Sequence, residues 1–370
     1  MERIKKILVL TNNIGGLYSF RKEVIKAFVD KDAKMYISYP DDDERQDYFK
    51  QLGCEMISIK LERRGINPVK DLKLLTDYIR LIKKINPDLV LSYTIKPNIY
   101  GGIACRLCNV PQFANITGLG DAVENGGILQ RMIILMYKIG LKKVQTVFFQ
   151  NKNNLNFFLK KRILSSKYIL LPGSGVNLDY HIYQKYPQED KLKFLFIARL
   201  IKTKGVDEYL EMAQKIKREH PNTEFQILGD IDDNYRSIID KLVNENIIKY
   251  LGKTTDVRPY LKEVHCTILP SYHEGMSNVN LESQANGRPV ITTNVPGCVE
   301  TILDNVSGYL VEARNAQDLI QKVETFIQLS HEEKKNMGVL GRKYVEENFS
   351  RKIVVNVYLE ESLIRSKNAL

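Results

Sequence analysis

The sequence predicts an α/β protein of two successive domains, each a parallel sheet built from βαβ units. The 370 residues exceed one ordinary core and suit two, at roughly 100 to 200 residues per domain. Short β-branched or aromatic runs alternate with amphipathic helical stretches from one end to the other. That alternation breaks at Leu171-Pro172-Gly173-Ser174-Gly175 and then restarts, as expected of a linker. In open sheets of this kind ligands bind at the carboxyl ends of the strands, so two facing domains are expected to hold a site in an interdomain cleft.

In the first half the pattern predicts strands near 7–11, 34–39, 56–61, 88–93, 112–117, 146–150 and 168–171. Helices are expected near 18–30, 68–86, 98–109, 127–144 and 152–162. The second half predicts strands near 193–198, 224–228, 248–251, 266–270, 289–292 and 308–311, with helices at 204–219, 235–245, 257–263, 279–287 and 316–329. The last forty residues read as helical. The expected domains are 1–172 and 173–349, with a final helix over 350–370 crossing back onto the first.

An apolar fraction of 44% and a charged fraction of 27% are those of a globular protein, and no apolar run approaches the roughly 18 to 20 residues that cross a bilayer. The opening Met1-Glu2-Arg3-Ile4-Lys5-Lys6 runs straight into a short strand, without a signal-peptide core, so a cytoplasmic location is expected. Five cysteines at irregular spacing fit reduced thiols, and the lone Cys105-x-x-Cys108 pair reads as helix residues rather than a zinc site. Net charge is uneven. Residues 1–171 hold 29 Lys and Arg against 16 Asp and Glu, a net +13, whereas residues 172–370 hold 26 against 28, a net −2. Such asymmetry points to an anionic partner for the first half, nucleic acid or an acidic membrane surface. Nucleic-acid motifs are absent and the basic residues lack aromatic interleaving, so no nucleic-acid partner is expected.

Two constellations carry chemistry. Ser271-Tyr272-His273-Glu274-Gly275-Met276-Ser277-Asn278-Val279-Asn280-Leu281-Glu282 follows a strand. Ser277 or Asn278 suits a helix N-cap, and the helix from Val279 would turn free amides and its positive dipole end toward a diphosphate. Gly275 and Met276 lie at the approach, Gly275 letting the backbone come close. Glu282 is placed to accept hydrogen bonds from sugar hydroxyls and Glu274 to reach a second sugar. The other constellation, Ile197 to Gly205, puts Arg199 and Lys204 at the carboxyl end of the second domain's first strand. There they can neutralise a diphosphate leaving group without a bound metal.

With Gly287-Arg288-Pro289-Val290-Ile291, Gly308-Tyr309-Leu310-Val311, Leu251-Gly252-Lys253 and Asp256-Val257 added, the sequence resembles the retaining glycosyltransferases of family 4, which have the GT-B fold. Gly15-Gly16 extends the likeness into the first half. The resemblance implies that Glu282 holds the donor ribose, Glu274 the transferred sugar, and Arg199 with Lys204 the donor diphosphate. It further implies that Gly16 approaches the phosphates, that Lys253 and Asp256 border the base, and that Gly229 belongs to the donor site. Retention would proceed through a short-lived oxocarbenium-like ion pair, so the two glutamates are not a glycosidase pair.

This family often carries a first-domain histidine near the sugar, but the first histidine here is His181. Lys96, Asn98 or Thr117 would replace it. The frequent Gly-Asp-Gly is also altered, Gly229-Asp230 being followed by Ile231-Asp232-Asp233. Asp41-Asp42-Asp43 matches a metal-binding Asp-x-Asp only trivially, and neither a metal nor another cofactor is expected. Tyr93 to Asn98 and Ile116 to Gly120 are similar to a subset that transfers N-acetylhexosamines from UDP in surface-polysaccharide and lipid-linked glycan synthesis. The expected partners are therefore a nucleotide sugar, an undecaprenyl-diphosphate-linked acceptor and the anionic inner membrane face. The competing readings are a UDP-N-acetylglucosamine 2-epimerase of the same fold and a non-catalytic nucleotide-sugar-binding protein.

Overall fold

A computed structural model of the protein describes residues 4–40, 43–62, 67–118, 127–188 and 191–368, with side chains placed through Leu363. Among these residues, seven strands form the first sheet: β1 (Lys6–Leu10), β2 (Lys34–Tyr39), β3 (Glu55–Ser58), β4 (Leu89–Tyr93), β5 (Gln112–Ile116), β6 (Thr146–Phe149) and β7 (Lys167–Leu170). Six form the second: β8 (Leu192–Ile197), β9 (Thr223–Leu228), β10 (Ile248–Tyr250), β11 (Cys266–Leu269), β12 (Val290–Thr293) and β13 (Gly308–Val311). Every strand the sequence predicts is present, displaced at its ends by a few residues at most.

The helices are α1 (Ile14–Val29), α2 (Gln46–Gln51), α3 (Pro68–Ile85), α4 (Ile95–Cys108), α5 (Gly127–Gly140), α6 (Lys152–Lys160), α7 (Val206–Glu219), α8 (Asp233–Asn244), α9 (Arg258–Glu263), α10 (Asn278–Ala285), α11 (Ala316–Gln328), α12 (His331–Asn348) and α13 (Arg351–Asn368). Helix α1 begins four residues before its predicted start because Gly15-Gly16 is helical, not loop. The short helix α2 was not predicted. Of the Cys-x-x-Cys pair in α4, Cys105 is buried and Cys108 half-buried, both free thiols.

The chain divides into two compact units, residues 1–174 with 352–370, and residues 175–351. Both sheets are parallel, the first in the order β3-β2-β1-β4-β5-β6-β7 and the second β10-β9-β8-β11-β12-β13. Strand order reverses once in each sheet, between β1 and β4 and between β8 and β11. At those switch points the connections leave in opposite directions and open a crevice at the carboxyl ends.

In the first unit apolar residues pack on both sheet faces. Leu8, Tyr78, Tyr137 and Phe158 lie in one cluster, and Ile7, Phe28, Phe113 and Tyr358 in another. Helices α4 and α5 touch at glycines: a Cβ on Gly102 would meet Gly140 O at 2.1 Å, and one on Gly140 the Ile99 backbone. The C-terminal helix completes this unit. Tyr358 stacks on Phe148 with centroids 4.6 Å apart, and Glu361 accepts from Thr146 Oγ1 at 2.6 Å and pairs with Lys167. The second unit centres on Phe194, Phe196, Tyr209, Phe225 and Phe326.

Candidate functional site

The two sequence constellations meet at the switch point of the second sheet. Arg199 to Lys204 follow β8 and Ser271 to Glu274 follow β11, and these strands are neighbours. A single turn of 3-10 helix, Lys202–Lys204, ends at Gly205 in the left-handed region, φ 73°. A Cβ on Gly205 would fall 2.0 Å from Pro270 O, so only glycine admits this approach. Tyr272 N donates to Thr203 O at 2.9 Å and Ser271 Oγ donates to the same oxygen at 3.2 Å. So fixed, Lys204 Nζ reaches Glu274 Oε1 at 2.6 Å. Both side chains remain partly open to solvent, whereas Arg199 is exposed and carries no ion pair or hydrogen bond through its side chain among the described residues. A carboxylate and two cations thus share one strand-end rim.

Helix α10 starts beside this pair. Ser277 caps it, its Oγ accepting from Asn280 N at 3.3 Å, while the amides of Asn278 and Val279 precede any intrahelical acceptor. Gly297, which the sequence reading missed, presses on the approach: φ is 83° and an added Cβ would meet Glu274 O at 2.3 Å. Its neighbourhood also holds the cap, Ser277 N donating to Gly297 O at 2.7 Å. Met276 is buried in a small cluster with Leu281 and Phe349 and Val279 packs on the main core, so these two offer backbone rather than side chain.

A second polar group gathers around Glu282. His181 Nε2 lies 3.9 Å from its Oε1, and Asn286 donates to His181 Nδ1 at 3.1 Å. Burial, reinforced by the charges of Arg258 and Arg351, lowers the His181 pKa to about 4, so the imidazole is neutral at physiological pH. Asp256 is chelated by Arg258, whose hydrogen bonds hold its carboxyl below the usual range. The Arg258 guanidinium in turn lies 3.5 Å from the Tyr180 ring centroid. His181 and Arg258 were not singled out from sequence: the contact of His181 with Glu282 spans 101 residues and that of Arg258 with Tyr180 spans 78. The other donor-side residues are structural neighbours of the rim. A Cβ on Gly229 would sit 1.7 Å from Ala198 O, and Lys253 pairs with Asp230 at 3.0 Å on the surface.

The Glu282 carboxyl has a pKa raised to about 7, because burial outweighs the attraction of Arg351. The folded chain therefore keeps a proton that the unfolded chain releases near 4.5, and stability falls as pH rises between those values. Glu282→Gln is expected to raise the melting temperature at pH 8 by a few degrees, on the order of what 1 to 2 kcal/mol gives, and to leave it unchanged at pH 4. Equal melting temperatures at both pH values would refute the assignment.

In the first unit Gly16 lies in the first turn of α1, whose N-cap Asn13 makes no side-chain cap. Lys96 Nζ is 2.7 Å from Asp71 Oδ1 in a largely buried pair. Asn98 is fully buried: its Oδ1 accepts from Ser92 Oγ and from Asn115 N, and its Nδ2 donates to Asn115 O, so it braces β4 against β5 away from any surface a sugar could reach. Thr117 is half-buried after β5. Leu119-Gly120 and Asp41-Asp42 lie outside the described residues.

Two parallel sheets, with a cation and a carboxylate paired at the switch point of the second, define an α/β protein with a charged strand-end rim. Residues 181–344 match the family described as Glycosyl transferases group 1 and residues 6–151 the one described as Glycosyl transferase 4-like. The chain belongs to this glycosyltransferase family and has its GT-B fold. It is 28% identical over 340 residues, 87% of this chain and 89% of the relative, to the N,N'-diacetylbacillosaminyl-diphospho-undecaprenol alpha-1,3-N-acetylgalactosaminyltransferase of Campylobacter jejuni. It is 26% identical over 277 residues, 70% of each chain, to the UDP-Gal:alpha-D-GlcNAc-diphosphoundecaprenol alpha-1,3-galactosyltransferase of Escherichia coli. Among solved structures, an Anabaena protein in complex with UDP and glucose superposes with a TM-score of 0.79 at 16% identity, covering 98% of this chain and all of that one.

Proposed function

We propose that this glycosyltransferase moves an N-acetylhexosamine from a UDP donor to an undecaprenyl-diphosphate-linked glycan, with retention and without a metal ion, at the inner face of the cytoplasmic membrane. The observation that carries the reading is the Lys204–Glu274 contact of 2.6 Å at the β8/β11 switch point. In it Lys204, with the exposed Arg199, meets the negative charge that grows on the leaving diphosphate. Glu274 accepts hydrogen bonds from the hydroxyls of the sugar in flight. The free amides of Asn278 and Val279 face the same anion, Gly275 admits it, and Glu282 receives the ribose hydroxyls. The departing phosphate takes the acceptor proton as the new bond forms on the face the diphosphate leaves.

The two lipid-linked relatives support the acceptor class, and the UDP complex supports the nucleotide. Membrane docking rests on α5. Its inner residues Ile133 and Tyr137 are buried, while Ile128, Met132, Leu135 and Ile139, spaced along one face, are 79%, 45%, 58% and 44% exposed. Arg131, Lys138, Lys142 and Lys143 flank that stripe. Apolar insertion with about 1 kcal/mol per basic residue near an anionic surface gives reversible binding. Among the described residues no helix is long and apolar enough to cross a membrane.

The test is transfer to an undecaprenyl-diphosphate sugar in anionic liposomes containing EDTA. Turnover with UDP-N-acetylhexosamine, and flotation with anionic but not neutral liposomes that fades at high salt, are expected. Preference for GDP-mannose would overturn the donor, loss of activity in EDTA the metal-free chemistry, and equal flotation with both lipids the electrostatic docking.

A further inference from the structure

The first unit contains a cavity of about 430 Å³, within the range of small-molecule sites, at the carboxyl ends of β2, β3 and β4. Its polar lining comes from the segment after β3, Lys60 and Glu62, from the first two turns of α3, Lys70, Asp71 and Lys73, and from Lys96 of α4. Four of these six side chains are cationic. Lys70 pairs with Glu62 and Lys96 with Asp71, whereas Lys60 and Lys73 are exposed and have no ion pair or hydrogen bond through their ammonium groups among the described residues. Among the described residues the cavity lining therefore carries two uncompensated positive charges.

Its inner end is built rather than incidental. Lys96 and Asp71 keep only 12% and 6% of their side-chain surface exposed, a costly burial of charge unless both ends are well held. Lys96 follows Thr94, which sits at φ 77° and ψ 169°, a region that is almost exclusively glycine's and strained for a β-branched residue. Strain of that kind persists where surrounding structure over-determines it, and here it turns the chain from β4 into α4 so that Lys96 reaches Asp71. Leu61 and Leu74 add an apolar wall, suited to the ring face of a sugar.

We infer that this cavity binds a diphosphate ester, with Lys60 and Lys73 holding the phosphates and the Lys96–Asp71 pair at the inner end meeting a hydroxyl of the attached sugar. That the ester is the acceptor's lipid-linked diphosphate rests on the function proposed above; the anion site itself does not.

Amine acylation of the full chain, read lysine by lysine by mass spectrometry, tests it. Inorganic pyrophosphate is expected to slow modification of Lys60 and Lys73 severalfold while leaving the exposed Lys31 unchanged, and a separate effect at Lys204 would report the donor site. Undecaprenyl-diphosphate sugar in nanodiscs, compared with nanodiscs of anionic phospholipid alone, distinguishes the lipid diphosphate from a soluble one. The Lys60→Gln/Lys73→Gln variant is expected to raise the acceptor KM at least tenfold, with the donor KM and kcat at saturating acceptor unchanged. Protection by pyrophosphate without transfer to the lipid acceptor would retain the site and remove the proposed acceptor. Intact transfer with neither protection nor a change in acceptor KM would overturn the site.

Discussion

Lys204→Ala is expected to lower kcat about a hundredfold, with a smaller change in donor KM and no change in fold. On the function proposed above, the diphosphate is already charged in the ground state and Lys204 contributes to binding it. As the glycosidic bond breaks, further negative charge reaches the bridging oxygen, and an interaction that strengthens at that point lowers the barrier rather than KM. A preorganised donor of this kind is worth on the order of 3 kcal/mol, which corresponds to roughly a hundredfold in rate. Preorganisation is visible in the turn that carries Lys204: Gly205 sits against Pro270 O, and Thr203 O accepts from both Tyr272 N and Ser271 Oγ. The ammonium thus needs little rearrangement on reaction. Steady-state kinetics with the UDP sugar, beside far-UV circular dichroism, check this. Activity within a factor of two of the parent would remove Lys204 from the catalytic role.

The central strands were legible because each is a short β-branched or aromatic run buried on both faces, a pattern that parallel sheets impose; the edge strands β3, β7 and β10 are more open. Lys204 and Glu274 were legible as a pair because both follow strands that the topology places side by side. Helix α2, six residues with one buried side chain, Phe49, was not. Nor was the role of Asn98: in sequence it is a polar residue after a strand, and only the fold shows its amide spent between β4 and β5. His181 and Gly297 escaped for a related reason. Each acts through a segment remote in sequence, Glu282 for the first and the Glu274 backbone for the second, and neither has a local pattern. The cavity lysines are scattered from 60 to 96, so their convergence belongs to the sheet and not to any motif.

Arg288, which entered the sequence reading only as part of a motif, is expected to be the largest single determinant of stability in the second unit. It is fully buried and, among the described residues, makes no ion pair with a carboxylate. Its Nε donates to Leu261 O at 2.7 Å, one terminal nitrogen to Gln184 O and Gly287 O at 3.1 and 3.2 Å, and the other to Lys185 O and Lys262 O at 3.0 and 3.1 Å. A guanidinium has five N–H donors, and all five are used. Burial lowers the Arg288 pKa to about 10, which still leaves it charged at neutral pH. The carbonyls at the end of α9 face it with the negative end of that helix's dipole. One side chain therefore ties the loop before β12 to α9 and to the coil at 184–185. Arg288→Met keeps much of the volume and leaves five carbonyl acceptors, two in buried bonds and three in part-buried ones, without that donor. At about 1 kcal/mol for each lost bond, partly offset by entering water, the loss is roughly 3 to 5 kcal/mol, a large share of a domain's 5–15 kcal/mol. Arg288→Lys, with three donors on a point charge, should fall between. Because the chain has no tryptophan, the measurement is urea unfolding followed by circular dichroism, with hydrogen exchange to localise the loosened region to residues 175–351. A loss under 1 kcal/mol for Arg288→Met would show that solvent or neighbouring groups satisfy those carbonyls without the guanidinium.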